Sequence, residues 1–234
     1  NTIPAFEKSL EIGVDGFETD VHMSRDGVPV ICHNYTIDET SNGIGAISDM
    51  TLEQLRSYDF GSYFHDEFRG TKLPTLDEFL TLCATADIEI MNIELKTPLS
   101  GEKGIVKETL AAVKEHGLFD KLLISSFSPE LLVECKRLDH ACKTGFLYSP
   151  DRKITYKKML FGYVEFAKEI GAEYLHPHFS LVNKHYVKKL HDNGIGINVW
   201  TVDGDGIAKR MLDCGVDGII TNVPDMINAL VERY

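Results

Sequence analysis

Gly16-Phe17-Glu18-Thr19-Asp20-Val21 reads as a β-strand entered from a helix. Just upstream, Asn1 or Thr2 can cap a helix running through Ile3-Pro4-Ala5-Phe6 to about Ile12. Pro4 is tolerated in the first turn, and Gly13 closes the helix. Side chains of a strand alternate between its faces, so Glu18 and Asp20 point one way while Phe17, Thr19 and Val21 point the other. Two carboxylates on one face of an otherwise apolar strand repel each other and are costly to bury unpaired. A divalent cation resolves both problems; an arginine or lysine in the core would serve as well.

Outward from this strand, short β-rich runs alternate with amphipathic helices. Further strands are predicted at Ile88–Leu95, Leu122–Ser126, Lys143–Leu147, Glu173–Leu175, Ile195–Trp200 and Gly218–Thr221. Helices are predicted at Thr75–Thr85, Glu102–His116, Pro129–Leu138, Tyr156–Ile170, Asn183–His191, Gly206–Asp213 and Pro224–Glu232. This alternation predicts an α/β fold with a parallel sheet and helices packed outside it. No glycine-rich dinucleotide loop follows any of the strands, which argues against an open doubly wound sheet and for a (β/α)8 TIM barrel. Such a barrel needs one more parallel strand than is read here, and the expectation is that its first strand precedes Asn1. With no repeat, linker or low-complexity tract, residues 1–234 read as a single domain.

One segment interrupts the rhythm. Between Ser24 and Pro74 lie a hairpin around Arg25-Asp26-Gly27, a strand at Val28–His33, a polar stretch through Ser41-Asn42-Gly43, and a short helix at Thr51–Tyr58. An insertion this long between a strand and its helix is uncommon unless it builds a lid or a site.

The formal net charge of -12 disfavours a broad surface for nucleic acid or anionic membrane, both of which select basic faces. No apolar run approaches the roughly 18 residues of a membrane span, so stable membrane insertion is not expected. The five cysteines contain no C-x-x-C pair and read as buried free thiols, which favours a reducing, cytoplasmic setting. An acidic chain can still bind a small phosphate ester if a metal or a few local cations offset its charge.

The Glu18/Asp20 pattern recurs at Asn92, Glu94 and Lys96, which share a face against Ile93 and Leu95. In a barrel these positions lie toward strand C-termini, where active sites are built. Three carboxylates suit one hard divalent cation, Mg²⁺ or Ca²⁺, rather than zinc. His33 ends the strand after the hairpin and is placed to return to the same mouth. His22 continues the Glu18/Asp20 face but falls where the strand should end, and reads as a bystander. His176 and His178 flank Pro177 at another strand end and are candidates to line the mouth. Trp200, the only tryptophan, ends its strand and suits either the core or the wall of a substrate site.

Together these residues resemble the glycerophosphodiester phosphodiesterase family. The likeness runs through Thr2-Ile3-Pro4-Ala5-Phe6, Gly16-Phe17-Glu18-Thr19-Asp20-Val21, Asp26-Gly27-Val28-Pro29-Val30 and Cys32-His33. It continues through Thr40-Ser41-Asn42-Gly43, Leu73-Pro74-Thr75-Leu76, Ile93-Glu94-Leu95-Lys96, Ser125-Ser126-Phe127, Val199-Trp200-Thr201-Val202 and Asp217-Gly218-Ile219-Ile220-Thr221-Asn222. The order is right over nearly the whole chain.

The resemblance implies a barrel that hydrolyses glycerophosphodiesters to glycerol 3-phosphate and an alcohol. It assigns the metal to Glu18, Asp20 and Glu94, a phosphate contact to Lys96, one catalytic histidine to His33, and the alcohol pocket to Phe127 and Trp200. The other catalytic histidine, with a phosphate-contacting arginine in an H-R-G motif, is expected upstream of Asn1. Asn34 stands where an aspartate is frequent, Glu39 where an arginine is usual, and Asp203 where an asparagine is usual. A lysophospholipid-cleaving relative and a non-catalytic phosphate-ester binder are the alternative readings.

Overall fold

In a computed structural model of the chain, Pro4 stands in the first turn of helix α1 (Ile3–Ile12), where the N–H it lacks would have no partner. The structure describes residues 1–97, 104–150 and 153–234, and in the last stretch side chains from 162 onward. Two compact units are formed, Asn1–Leu122 and Leu123–Tyr234.

In the first unit, Gly13 takes a left-handed φ of 82° and turns the chain from α1 into strand β1 (Gly16–Met23). Antiparallel to β1 runs the short strand β2 (Pro29–Ile31), then come helices α2 (Leu52–Arg56) and α3 (Leu76–Thr85), strand β3 (Ile90–Leu95) and helix α4 (Ile105–Glu115). Strand β3 pairs parallel to β1 with Glu18 beside Asn92 and Asp20 beside Glu94. Gly16 permits this pairing at its start, because a Cβ there would meet the Ile90 carbonyl oxygen at 2.1 Å. The opposite face of β1 is apolar: Phe17 packs against Phe6 of α1 and Phe79 of α3, with ring centroids 5.3 and 5.7 Å away.

The insertion carries a core of its own, in which Val30, Cys32, Ile37, Ile47, Leu55, Phe60 and Leu73 are buried. Thr51 and Thr75 close reciprocal capping boxes with Gln54 and Glu78 at the starts of α2 and α3. Arg56 of α2 pairs with Glu78 of α3, and the Ile31 N–H donates to the Pro74 carbonyl at 2.9 Å. The segment between β1 and α3 is thus held at several points by its own packing.

The second unit repeats strand and helix without interruption. Strand β4 (Leu122–Ser126) leads to α5 (Pro129–Leu138), β5 (Lys143–Tyr148), α6 (Lys153–Ile170), β6 (Tyr174–Pro177), α7 (Lys184–His191), β7 (Gly196–Val199), α8 (Asp205–Cys214), β8 (Gly218–Ile219) and α9 (Pro224–Val231). The strands β4 to β8 lie side by side in chain order and pair in parallel.

All the strands expected from periodicity are present among the described residues, most of them with shifted ends. β1 runs two residues past Val21, so His22 lies within it rather than at its end. β2 stops at Ile31, so His33 lies past its strand rather than ending it. The helix expected from Glu102 begins at Ile105 among the described residues, Glu102 itself lying outside them. In α6 the backbone leaves helical values at Gly162, which periodicity does not signal. No helix among the described residues is long and apolar enough to cross a membrane.

Candidate active site

The polar face of β1 meets that of β3 because parallel pairing sets equivalent side chains beside one another. Glu18, Asp20 and Glu94 each present a carboxylate oxygen within 4.8 Å of the others. Asp20 and Glu94 are buried and Glu18 is half-buried. Lys96 follows on the same face of β3, its Nζ 2.6 Å from Asp20 Oδ1 and 2.8 Å from Glu94 Oε1. One of the two ways of satisfying the carboxylates, a core lysine, is therefore present in the cluster itself.

Its electrostatics are unbalanced. One ammonium beside three carboxylates leaves two negative charges over, the charge of one divalent cation. Burial, then the facing Asp20 and Glu94, push the Glu18 carboxyl well above the carboxylate range. Burial likewise pushes Glu94 up to about 7, although Lys96 pulls it down. Burial works against a charge on Lys96, yet Asp20 and Glu94 hold it protonated above the usual lysine range. Oxygens around one hard cation at about 2.0–2.6 Å lie no more than roughly 5 Å apart. The spacing, the all-oxygen donor set and the surplus charge all fit such an ion.

Asn1 was expected at a helix cap, but neither it nor Thr2 caps α1 with its side chain. Asn1 instead donates its amide Nδ2 to Asp20 Oδ2 at 2.9 Å, while its Oδ1 accepts from the Thr19 hydroxyl and, at 3.3 Å, from the Asp20 N–H. Nothing in the local sequence signals this contact, which spans nineteen positions. Asn92, buried beside Glu18, has an amide with no hydrogen-bond partner among the described residues.

The β1–β2 hairpin ties the backbone just before His33 to the strand that carries Asp20. Val21 pairs with Ile31, and the Cys32 N–H donates to the Asp20 carbonyl at 3.1 Å, so His33 follows directly on the residue anchored to a carboxylate-bearing position. The His33 ring is exposed, and its Nδ1 lies 2.6 Å from Asn34 Oδ1. His22 is buried on the Glu18/Asp20 face, against Tyr35 at 5.0 Å. Burial and the Lys96 charge push it down to about 4, so it is neutral at ordinary pH.

In the second unit, Phe127 and Trp200 meet edge to face with centroids 5.6 Å apart. Trp200 lies just past β7 and donates its Nε1–H to the His176 carbonyl at 2.7 Å, which fixes the indole. His178 packs against Trp200 at 5.5 Å. His176, expected among residues lining a mouth, is instead fully buried and bonded to Asn198 at 3.1 Å. Strand parity turns it inward, where Gly145 on the neighbouring strand leaves room for its ring.

The sequence model of the glycerophosphoryl diester phosphodiesterase family matches residues 1–226. The chain belongs to this family. A glycerophosphodiester phosphodiesterase of Caldanaerobacter subterraneus subsp. tengcongensis is 35% identical, the match covering 100% of this chain and 92% of that protein. An Oleispira antarctica phosphodiesterase solved in complex with the product sn-glycerol-3-phosphate superposes with a TM-score of 0.88 at 25% identity, over 99% of this chain and 91% of that one. A glycerophosphodiester phosphodiesterase from Parabacteroides distasonis gives a TM-score of 0.80 at 28% identity, over 100% of this chain and 90% of that one. The α/β barrel fold expected from the sequence is the fold of this phosphodiesterase family, and the enzyme class is that of the phosphoric diester hydrolases.

Proposed function

We propose that this phosphodiesterase hydrolyses glycerophosphodiesters to glycerol 3-phosphate and an alcohol, with one divalent cation, Mg²⁺ or Ca²⁺, held by Glu18, Asp20 and Glu94. The observation that carries this reading is the cluster of three carboxylates and one lysine on adjoining strands, in a chain that matches the family almost end to end. The product named in the Oleispira complex supports glycerol 3-phosphate as the product here.

A divalent cation bound there would act as a Lewis acid toward the non-bridging phosphate oxygens. The chain's own residues do the rest. Glu18, Asp20 and Glu94 would hold that ion, and Asn1 fixes the Asp20 carboxylate through the oxygen that Lys96 does not contact. Lys96, held protonated, supplies a fixed positive charge for the phosphate, where charge grows in the transition state. His33 is one of two histidines that exchange protons with the attacking and departing oxygens. His22 is buried and neutral, and has no part in the exchange. The Phe127–Trp200 pair offers an apolar surface suited to the alcohol portion of the substrate. The five free cysteines agree with a cytoplasmic setting, and the ligand is a small molecule.

The deciding assay follows glycerol 3-phosphate release from glycerophosphocholine by the full-length protein, with and without a chelator. Chelation is expected to abolish release and added Mg²⁺ or Ca²⁺ to restore it. Activity that survives chelation would remove the metal from the reading. His33→Ala is expected to lower turnover by about 10²-fold or more, and near-normal turnover would remove His33.

A further inference from the structure

Asn34 stands between Glu39 and His33, with one end of its amide on each. Asn34 Nδ2 is 2.7 Å from Glu39 Oε2, and Asn34 Oδ1 is 2.6 Å from His33 Nδ1. A carboxylate can only accept, so the Asn34 atom facing it must be the NH₂ group. The Asn34 oxygen then faces His33, and as an acceptor it requires an N–H at Nδ1. A neutral imidazole has one N–H, so Nε2 keeps its lone pair and is the atom able to take up a proton.

We propose that Asn34 and Glu39 are positioning residues that hold His33 as its Nδ1–H tautomer. This rests on the reading of His33 as a proton-transfer group. The backbone that carries the three side chains is well anchored. Cys32 and Ile37 are buried in the insertion core. The Cys32 N–H donates to Asp20, the Ile37 N–H donates to the Gly45 carbonyl at 3.0 Å, and the Ser41 hydroxyl donates to the Ile37 carbonyl at 2.7 Å. His33 and Glu39 are exposed and Asn34 is half-buried, so water competes with the relay.

Residues 34 and 39 belong to one hydrogen-bonded unit, so their donor and acceptor patterns must match as a pair. An arginine at 39 can only donate, so it would draw the Asn34 oxygen to itself and turn the NH₂ toward His33. That would demand a lone pair at Nδ1 and shift the proton to Nε2. An aspartate at 34 facing an arginine at 39 would again present an acceptor to Nδ1.

The test uses ¹⁵N-labelled full-length protein and two-bond ¹H–¹⁵N correlation spectra at alkaline pH, where an imidazole ring is neutral. The His33 signals are identified by their loss in His33→Gln. Wild type is expected to show the Nδ1–H tautomer, Glu39→Arg predominantly the Nε2–H tautomer, and N34D/E39R the Nδ1–H tautomer again. Turnover should follow: Glu39→Arg lowers kcat by about 10- to 100-fold with KM within about twofold, and N34D/E39R recovers most of it. An Nε2–H tautomer in wild type, or the same tautomer in wild type and Glu39→Arg, would overturn the relay. Normal turnover in His33→Gln with the tautomer pattern intact would instead overturn the catalytic reading of His33 and leave the relay as local structure.

Discussion

Lys96 and Asp20 form a buried ion pair, Nζ to Oδ1 at 2.6 Å, and the same ammonium reaches Glu94 at 2.8 Å. Breaking a buried pair by removing one partner costs more than the pair is worth, because a charge is left without compensation. Lys96→Met leaves Glu18, Asp20 and Glu94 facing one another, and in the presence of chelator it is expected to lose about 3–5 kcal/mol of unfolding free energy. Millimolar Mg²⁺ or Ca²⁺ should recover more stability in the variant than in wild type, since the added ion then supplies all the positive charge of the cluster. Urea unfolding with and without the cation measures this. Equal responses in the two proteins would mean that the ion and Lys96 do not share a site.

Asp20 is oriented from a second side by Asn1. A ligand carboxylate that can swing loses the benefit of a fixed geometry, and removing such outer contacts commonly costs about 10- to 100-fold in metal affinity. Asn1→Ala in the full-length protein is expected to weaken Mg²⁺ or Ca²⁺ binding by that range in calorimetric titration. Unchanged affinity would reduce Asn1 to a contact of the fold.

The contrast between these two residues marks what the sequence makes legible. Alternation along β1 and β3 is a property of neighbouring residues, so the shared face of Glu18, Asp20, Glu94 and Lys96 can be read directly from the chain. What alternation cannot say is that Lys96 bonds two of those carboxylates, because that depends on rotamers and on the register between strands. Asn1 reaches Asp20 only after α1 has folded back alongside β1, so local propensity assigns it to a cap instead. The insertion shows the same limit. Its length marks it as special, but the burial of Cys32 and Ile37, and with it the anchoring of His33, arises from contacts scattered between Val30 and Leu73. For His176, strand parity fixes only a face, and depth along the strand decides whether that face is a mouth or, as here, an interior.

Phe79 separates stability from chemistry. It packs on Phe6 at 4.7 Å and on Phe17 at 5.7 Å, on the face of β1 opposite the carboxylates. Phe79→Ala is expected to cost about 3–5 kcal/mol through lost burial and the cavity left behind. Turnover per folded molecule, measured well below the lowered Tm, should stay near wild type. A large fall in kcat would mean that the strand transmits the cavity to the site.

His176 gives the second unit a specific weakness to acid. Complete burial pushes its ring down to about 3, so it stays neutral in the folded chain throughout the mildly acidic range. In the unfolded chain it takes a proton below about 6.5. Between those values the unfolded state binds more protons, so stability falls as pH falls, by about 1.4 kcal/mol per unit from this group. Above about 6.5 neither state is protonated and the contribution is flat. Other groups also titrate in this window: His22, pushed down, acts in the same direction, and Glu18 and Glu94, both pushed up, act in the opposite one. The difference between wild type and a variant isolates His176. His176→Asn lacks the titrating ring, and between pH 7 and 5 it should lose about 2 kcal/mol less stability than wild type in urea unfolding. Parallel losses in the two proteins would show that the buried ring is not what makes the fold acid-sensitive.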